Sequence, residues 1–292
     1  MRSLKIIRID GGQRQARDDL ITEEVSLGLL AGHRRLAVLM CSPQDLKDLV
    51  RGFLYTSGMI ESSGQIRRVL INRATWTAFI ELAPEIDPDS LSLSSVIGSA
   101  CGSAPAAAGS AAPSAVNPAA PEEGTEKGRD GRPEKAPDEA PAYPPRTGET
   151  TLPGRDTSLS VPSGSISAFM EELRKRSQIH RRTGGVHAAA LAAVSGLLVF
   201  REDIGRHNAV DKVIGACLLQ GVPFADKILL SSGRLSSEIV HKAARCGLPI
   251  VVSRGAPTDR SVALARERGI TLIGFARGDR MNLYSIPERV KT

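Results

Sequence analysis

What most restricts the fold of this chain is a set of short apolar runs separated by stretches of helical spacing in its C-terminal part. The runs fall at residues 197–200, 228–230, 250–252 and 271–275, with helical patterns over 207–220, 236–246 and 259–268 between them. Connections this short make each helix lie back across the strands it joins, so the pattern predicts an α/β sheet of substantial parallel character covered by helices. A further helix is marked by Ile166, Phe169, Met170, Leu173 and Ile179 and ends near Thr183-Gly184-Gly185.

The N-terminal part reads as β-rich. Strands are predicted at 25–30 and 36–41, joined as a hairpin through Ala31-Gly32-His33-Arg34-Arg35. A helix should follow, with Ser42 as N-cap, Pro43 at the first position and Leu46, Leu49, Val50, Phe53 and Leu54 at helical spacing as far as Gly58. Strands at 66–71, 75–82 and 91–97 come next, and the last runs into Gly98-Ser99-Ala100-Cys101, which puts Cys101 on a loop at a strand exit.

Residues 105–153 break the pattern. These 49 residues hold 10 of the 18 prolines, and apart from alanines their only apolar side chains are Val116, Tyr143 and Leu152. Such a segment cannot bury enough apolar surface to offset the entropy of ordering it, and it is expected to be a disordered insertion. The chain then divides into a β-rich part, 1–104, ending in the cysteine loop, the insertion, 105–153, and an α/β ligand-binding domain, 154–292. The remaining 243 residues are ample for a core.

Composition removes several classes of function. The longest apolar stretch, 188–200, is interrupted by Ser195-Gly196 and is too short to span a bilayer. Residues 1–10 lack the apolar segment of a secretory signal, so a cytoplasmic protein with no membrane association is expected. Cys41, Cys101, Cys217 and Cys246 are scattered through a chain too large to need stapling, and no disulfide framework is expected. A net charge of +6 would suit nucleic acid, but with aromatic residues at 3% there is no stacking surface. The charge favours a smaller anionic ligand or partner.

Open α/β sheets bind ligands beyond the carboxyl ends of their strands, where helix N-termini offer free N–H groups. The exits here read Arg201-Glu202-Asp203-Ile204-Gly205-Arg206-His207-Asn208, Ser231-Ser232-Gly233-Arg234, Ser253-Arg254-Gly255-Ala256-Pro257-Thr258 and Phe275-Ala276-Arg277-Gly278-Asp279-Arg280. Each combines a glycine, which lets backbone approach a ligand, with an arginine, whose planar fork suits phosphate. Repetition of that chemistry at four exits points to a phosphate-bearing ligand, with Arg206, His207, Arg234 and residues Phe275, Ala276, Arg277, Gly278, Asp279 and Arg280 as candidate contacts. His207 also suits a helix-start position without ligand contact, and His187 can face either the ligand or the interior. His33, His180 and His241 stand among basic residues and receive no role.

Cys101 has only small neighbours, Ser99-Ala100 and Gly102-Ser103, that cannot bury a thiol, so it should be accessible to a partner. Taken alone it also suits an incidental surface thiol. Cys41, Cys217 and Cys246 fall on apolar faces and read as small core residues. No histidine begins a His-x-Glu triplet and no two cysteines are spaced Cys-x-x-Cys, so the metal signature of nucleobase deaminases is absent and no metal site is expected. Neither a phosphate loop of the Gly-x-x-x-x-Gly-Lys type nor a Gly-x-Ser-x-Gly elbow occurs.

Gly184-Gly185-Val186-His187-Ala188-Ala189-Ala190, the stretch from Arg201 to Lys212, Ser232-Gly233-Arg234, Ala256-Pro257-Thr258 and Gly274-Phe275-Ala276-Arg277-Gly278 closely resemble the formate dehydrogenase accessory sulfurtransferase family, FdhD/NarQ. The resemblance implies a cytidine-deaminase-like α/β domain without its zinc, a homodimer, and a cytoplasmic enzyme. Such an enzyme accepts persulfide sulfur from a cysteine desulfurase and passes it to Mo-bis-molybdopterin guanine dinucleotide, bound as substrate, for formate dehydrogenase. By position, Cys101 matches the persulfide cysteine of the family, and Phe275 through Arg280 match its cofactor-binding segment. The family pattern Cys-Gly-x-Cys-Gly is Cys101-Gly102-Ser103-Ala104 here, which excludes a relay between two loop cysteines. Either Cys101 suffices for sulfur transfer, or the chain binds the cofactor without transferring sulfur.

Overall fold

The computed structural model describes residues 1–91, the backbone of 103–104, and residues 159–292. Cys101, the expected strand beyond Leu91 and the 105–153 insertion lie outside the described residues. The chain opens with a hairpin that the sequence reading did not include. β1 (Arg2–Asp10) and β2 (Gln13–Ile21) pair antiparallel across Gly11-Gly12, whose φ values of 54° and 82° are those a two-residue hairpin turn demands.

The second hairpin is the expected one. β3 (Val25–Ala31) and β4 (Arg34–Cys41) pair antiparallel with one irregularity after Leu29, and Leu27, Leu29 and Ala31 point with Ala37, Leu39 and Cys41 into one core, all fully buried. The helix after it, α1 (Leu46–Thr56), starts later than Ser42-Pro43 implied. Asp45, in the left-handed region at φ 52°, is its N-cap, and Ser42 is committed elsewhere: its backbone N and its Oγ each lie 3.0 Å from Asp203 Oδ2. β5 (Ile66–Asn72) and β6 (Thr77–Leu82) follow, and β7 (Ser103–Ala104) pairs with Val38 and Leu39 of β4. The result is a five-stranded sheet in the order β5-β6-β3-β4-β7, with α1 on its buried face.

After β8 (Val161–Pro162), the single helix expected up to Gly184 is two: α2 (Ser163–Arg176) and α3 (Gln178–Thr183). They break at Ser177, whose hydroxyl bonds the Leu173 carbonyl, and the Glu202 carboxylate takes the N–H groups of Ile179 and His180 at the start of α3. Then come β9 (His187–Ala193), β10 (Gly196–Asp203), α4 (Arg206–Gln220), β11 (Ile228–Ser231), α5 (Ser237–Cys246), β12 (Ile250–Ser253), α6 (Asp259–Glu267), β13 (Thr271–Arg277), β14 (Arg280–Ser285) and β15 (Val290–Lys291). Six of these strands form one sheet in the order β10-β9-β11-β12-β13-β14. β11, β12 and β13 are mutually parallel, and β10 runs the same way because it and β11 are each antiparallel to β9. Ala188, Ala190 and Ala192 of β9 turn toward Ile166, Phe169, Met170 and Leu173 of α2, and Ala189 and Leu191 toward α4 on the opposite face. The sequence is α/β as expected, in four layers: N-terminal sheet, helices α1 and α4, central sheet, α2.

The middle layer is unusually tight. A Cβ on Gly52 of α1 would lie 1.8 Å from the Asp211 carbonyl oxygen of α4, and one on Gly215 of α4 would lie 1.9 Å from the Asp48 carbonyl oxygen of α1. The two backbones therefore touch where the glycines cross. Alanine normally improves a helix interior over glycine by about 1 kcal/mol. Gly215→Ala should instead lower stability by about 1–3 kcal/mol, because a methyl group cannot enter without parting the helices. The shift in denaturation midpoint measures it, with Gly164→Ala of α2, which meets nothing within 4 Å and should leave stability unchanged or slightly raised, as the control of opposite sign.

Side chains reinforce the same joint. Arg201 Nε and Nη2 donate to Asp48 Oδ2 at 3.0 and 2.8 Å. Lys242 Nζ reaches both oxygens of Asp211 at 2.8 Å, and Thr56 Oγ1 donates to Asp211 Oδ1 at 2.7 Å. Fully enclosed beside them, Lys212 Nζ sits 2.7 Å from Asp203 Oδ2 and 3.0 Å from Ser42 Oγ.

Candidate functional site

Because β10, β11, β12 and β13 share a direction, their four exits meet at one edge of the sheet, together with the first residue of β9, His187. Serines tie the loops there. Ser231 Oγ accepts from Gly233 N at 3.2 Å, Ser253 Oγ accepts from Gly255 N at 3.0 Å and donates to the Gly233 carbonyl, and Gly255 O accepts from Phe275 N at 3.1 Å. Only glycine fits at 255, where a Cβ would stand 2.6 Å from Gly233 O. Phe275 takes a left-handed φ of 52°, and the pairing register shifts between Gly274 and Arg277. That irregularity turns Arg277 back over the neighbouring exit, where its Nε donates to Arg254 O at 3.2 Å.

Two adjoining clefts open at this edge, of about 470 and 430 Å³. Arg174, Arg254 and Arg277 line both. The first runs between α2, α3 and the exits past His180, Gly184, Gly185, His187, Ile204 and Ser232, with no acidic residue on its lining. The second lies between α2 and the β13–β14 turn, bounded by Gly164, Ser167, Ala168, Glu171, Ala276, Gly278 and Asp279. Three guanidinium groups and an acid-free wall favour a polyanion.

His187 has its pKa lowered, first by burial and then by the positive charge of Arg206, so it faces the first cleft as neutral imidazole near pH 7. Its Nδ1 lies 3.4 Å from Ser232 Oγ, which in turn accepts from Ala188 N at 2.9 Å.

The sequence candidates separate accordingly. Ala276, Arg277, Gly278 and Asp279 line the clefts, whereas Phe275 and Arg280 shape the turn without lining them. Arg206, at the start of α4, packs its Cβ against Gly233 beside His187. His207 serves the helix starts: its Nε2 is 2.8 Å from Glu238 Oε2 and 3.1 Å from Ser236 Oγ, joining α4 to α5. Arg234 is exposed and off both linings. Much of the charge in the specific stretch from Arg201 to Lys212 is architectural, since Arg201, Asp203, Asn208, Asp211 and Lys212 bond across the joint to Asp48, Ser42, Met40 and Thr56.

Sequence reasoning missed Arg174 and gave His180 no role, although both line the first cleft. The signal for Arg174 was its place on α2, four residues beyond the buried Met170 and beside the buried Leu173, at the rim of the apolar stripe. The described cysteines, Cys41, Cys217 and Cys246, are buried and free, and burial pushes the thiols of Cys41 and Cys217 up to about 12 and that of Cys246 higher still. Among the described residues no three His, Cys, Asp or Glu side chains gather as a metal site, and no helix is long and apolar enough to cross a membrane.

Comparison with known proteins agrees along nearly the whole chain. The sulfur carrier protein FdhD of Bacillus pumilus is 34% identical over 280 residues, covering 96% of this chain and 93% of that protein. Its namesake in Bacillus subtilis is 32% identical over 285 residues, covering 97% and 95%. A crystal structure from Desulfotalea psychrophila, named as a formate dehydrogenase accessory protein, superposes with a TM-score of 0.70 at 25% identity and covers 99% of both chains. With the FdhD/NarQ family pattern matched at residues 22–129 and 144–291, the chain belongs to that family.

Proposed function

We propose that this protein is a sulfurtransferase in which Cys101 receives sulfur as a persulfide from a cysteine desulfurase. The sulfur then passes to Mo-bis-molybdopterin guanine dinucleotide, held as substrate in the arginine-lined clefts, before that cofactor enters formate dehydrogenase. The observation that carries the reading is the convergence of Arg174, Arg254 and Arg277 at one sheet edge, a setting suited to nucleotide pyrophosphate, in a chain whose relatives are named sulfur carriers. The buried cysteines support Cys101 as carrier by elimination, since a thiol held at about 12 has almost no thiolate at neutral pH.

The protein's own groups hold and orient the substrate. Guanidinium forks bind phosphate oxygens, His187 presents an uncharged ring to the first cleft, and the glycine exits let backbone approach closely. The finer fold reading is a cytidine-deaminase-like domain in which His207 bonds Ser236 and Glu238 where α4 and α5 begin, without zinc. A cytoplasmic homodimer belongs to the same reading.

One observation favours a second reading, a cofactor-binding chaperone without sulfur transfer: Ala104 stands where the family pattern has its second cysteine. Mass spectrometry after incubation with a cysteine desulfurase and cysteine separates the two. The sulfurtransferase gains one sulfur, on the peptide containing Cys101 and on no other cysteine peptide. A chain that gains none is the chaperone.

A further inference from the structure

We propose that Arg174 of α2 completes a three-arginine clamp for pyrophosphate, and that Glu171, one turn earlier, occupies its guanidinium until the ligand displaces it. That the pyrophosphate belongs to a guanine nucleotide rests on the function proposed above; the clamp itself rests on geometry. Arg174, Arg254 and Arg277 come from three different elements, α2 and the exits of β12 and β13, yet they are the residues that the two clefts share. A ligand passing from one cleft to the other must cross them.

Arg174 is engaged fork to fork with Glu171. Its Nε lies 2.8 Å from Glu171 Oε2 and its Nη2 2.7 Å from Glu171 Oε1. This is the two-bond geometry by which arginine also grips phosphate, so the carboxylate stands in for the anion. Glu171 lines the second cleft, and its pKa is lowered by the Arg174 hydrogen bonds first and by the charges of Arg174, Lys175 and Arg254 after that. Both side chains are about half exposed, and exposed pairs at this helical spacing are weakly held. A pyrophosphate facing three guanidinium groups therefore displaces one carboxylate. The two neighbours then act with opposite sign, Arg174 favouring the ligand and Glu171 competing with it.

The test is equilibrium binding to the full chain at low ionic strength, with GDP and inorganic pyrophosphate as probes. Arg174→Ala should weaken both by about tenfold or more, as should Arg277→Ala. Glu171→Gln should tighten both by roughly two- to fivefold, and this gain should vanish in the Glu171→Gln/Arg174→Ala double variant. Glu172→Gln removes the same charge from a residue paired with Arg176 and off both clefts, and it should change nothing. Wild-type affinity in Arg174→Ala alongside a weakened Arg277→Ala overturns the clamp and leaves the anion held by the strand exits without α2. Pyrophosphate binding with the expected pattern but no binding of GDP upholds the clamp and overturns the guanine reading. If neither probe binds the wild type, both fall.

Discussion

A Cys101→Ser variant should fold and bind guanine nucleotide as the wild type does, yet leave formate dehydrogenase inactive in a strain that lacks the native protein. Sulfur moves between proteins as a persulfide, formed when a thiolate attacks the outer sulfur of the donor, and a serine hydroxyl cannot carry it. No other cysteine can substitute. Cys41 and Cys217 are fully buried with thiols pushed up to about 12, and Cys246 is buried and raised further. With Ala104 at the family's second cysteine position, no thiol three residues on can resolve the persulfide, so it should persist on Cys101 until the substrate arrives. The loss of activity should be complete rather than partial. Full activity from the serine variant would overturn sulfur transfer and leave the chaperone reading in its place.

The largest loss of stability should come from Lys212→Met. Lys212 and Asp203 are both fully enclosed, and Asp203 also receives the Ser42 hydroxyl and N–H, the Gly205 N–H and the Asn208 amide. Removing the ammonium strands a carboxylate among neutral donors, a change that costs about 3–5 kcal/mol at buried pairs. Because a domain's whole stability is about 5–15 kcal/mol, the variant should unfold at markedly lower denaturant concentration. Asp203→Asn combined with Lys212→Met removes both charges and should recover much of the loss. A single variant within about 1 kcal/mol of wild type would show that the joint does not depend on this pair.

The parts of the fold governed by local periodicity were legible. The β3–β4 hairpin, the alternation after β9 and the assembly of glycine and arginine exits at one edge all follow from spacing within a few residues. Where reading failed, a distant partner had claimed the local signal. Ser42-Pro43 has the form of a helix start, but the Ser42 side chain bonds Asp203, 161 residues away, and α1 begins at Leu46. The single helix expected up to Gly184 is split at Ser177, with Glu202 holding the start of the second piece. In β1 and β2, charged residues alternate with exposed Leu4, Ile7 and Ile9, so there was no buried stripe to reveal the hairpin, only the Gly11-Gly12 turn. For the site, the stretch from Arg201 pairs glycine with arginine as the other exits do, but Arg201, Asp203, Asp211 and Lys212 are engaged in the joint between the helices. Arg174 escaped because a helix rim looks like any solvated surface until the sheet edge beside it is known.

The crossing of α1 and α4 also sets a timetable for synthesis. Everything that α1 and β4 bury at that joint lies about 160 residues further along the chain, as the Ser42 to Asp203 separation of 161 shows. At roughly 5–20 residues per second, the N-terminal sheet and its helix leave the ribosome some 10–30 s before α4 can meet them. Throughout that interval the Gly52 face of α1 and the backbone around Ser42 have no partner of their own. Completion of the N-terminal layer is therefore paced by elongation of the chain behind it.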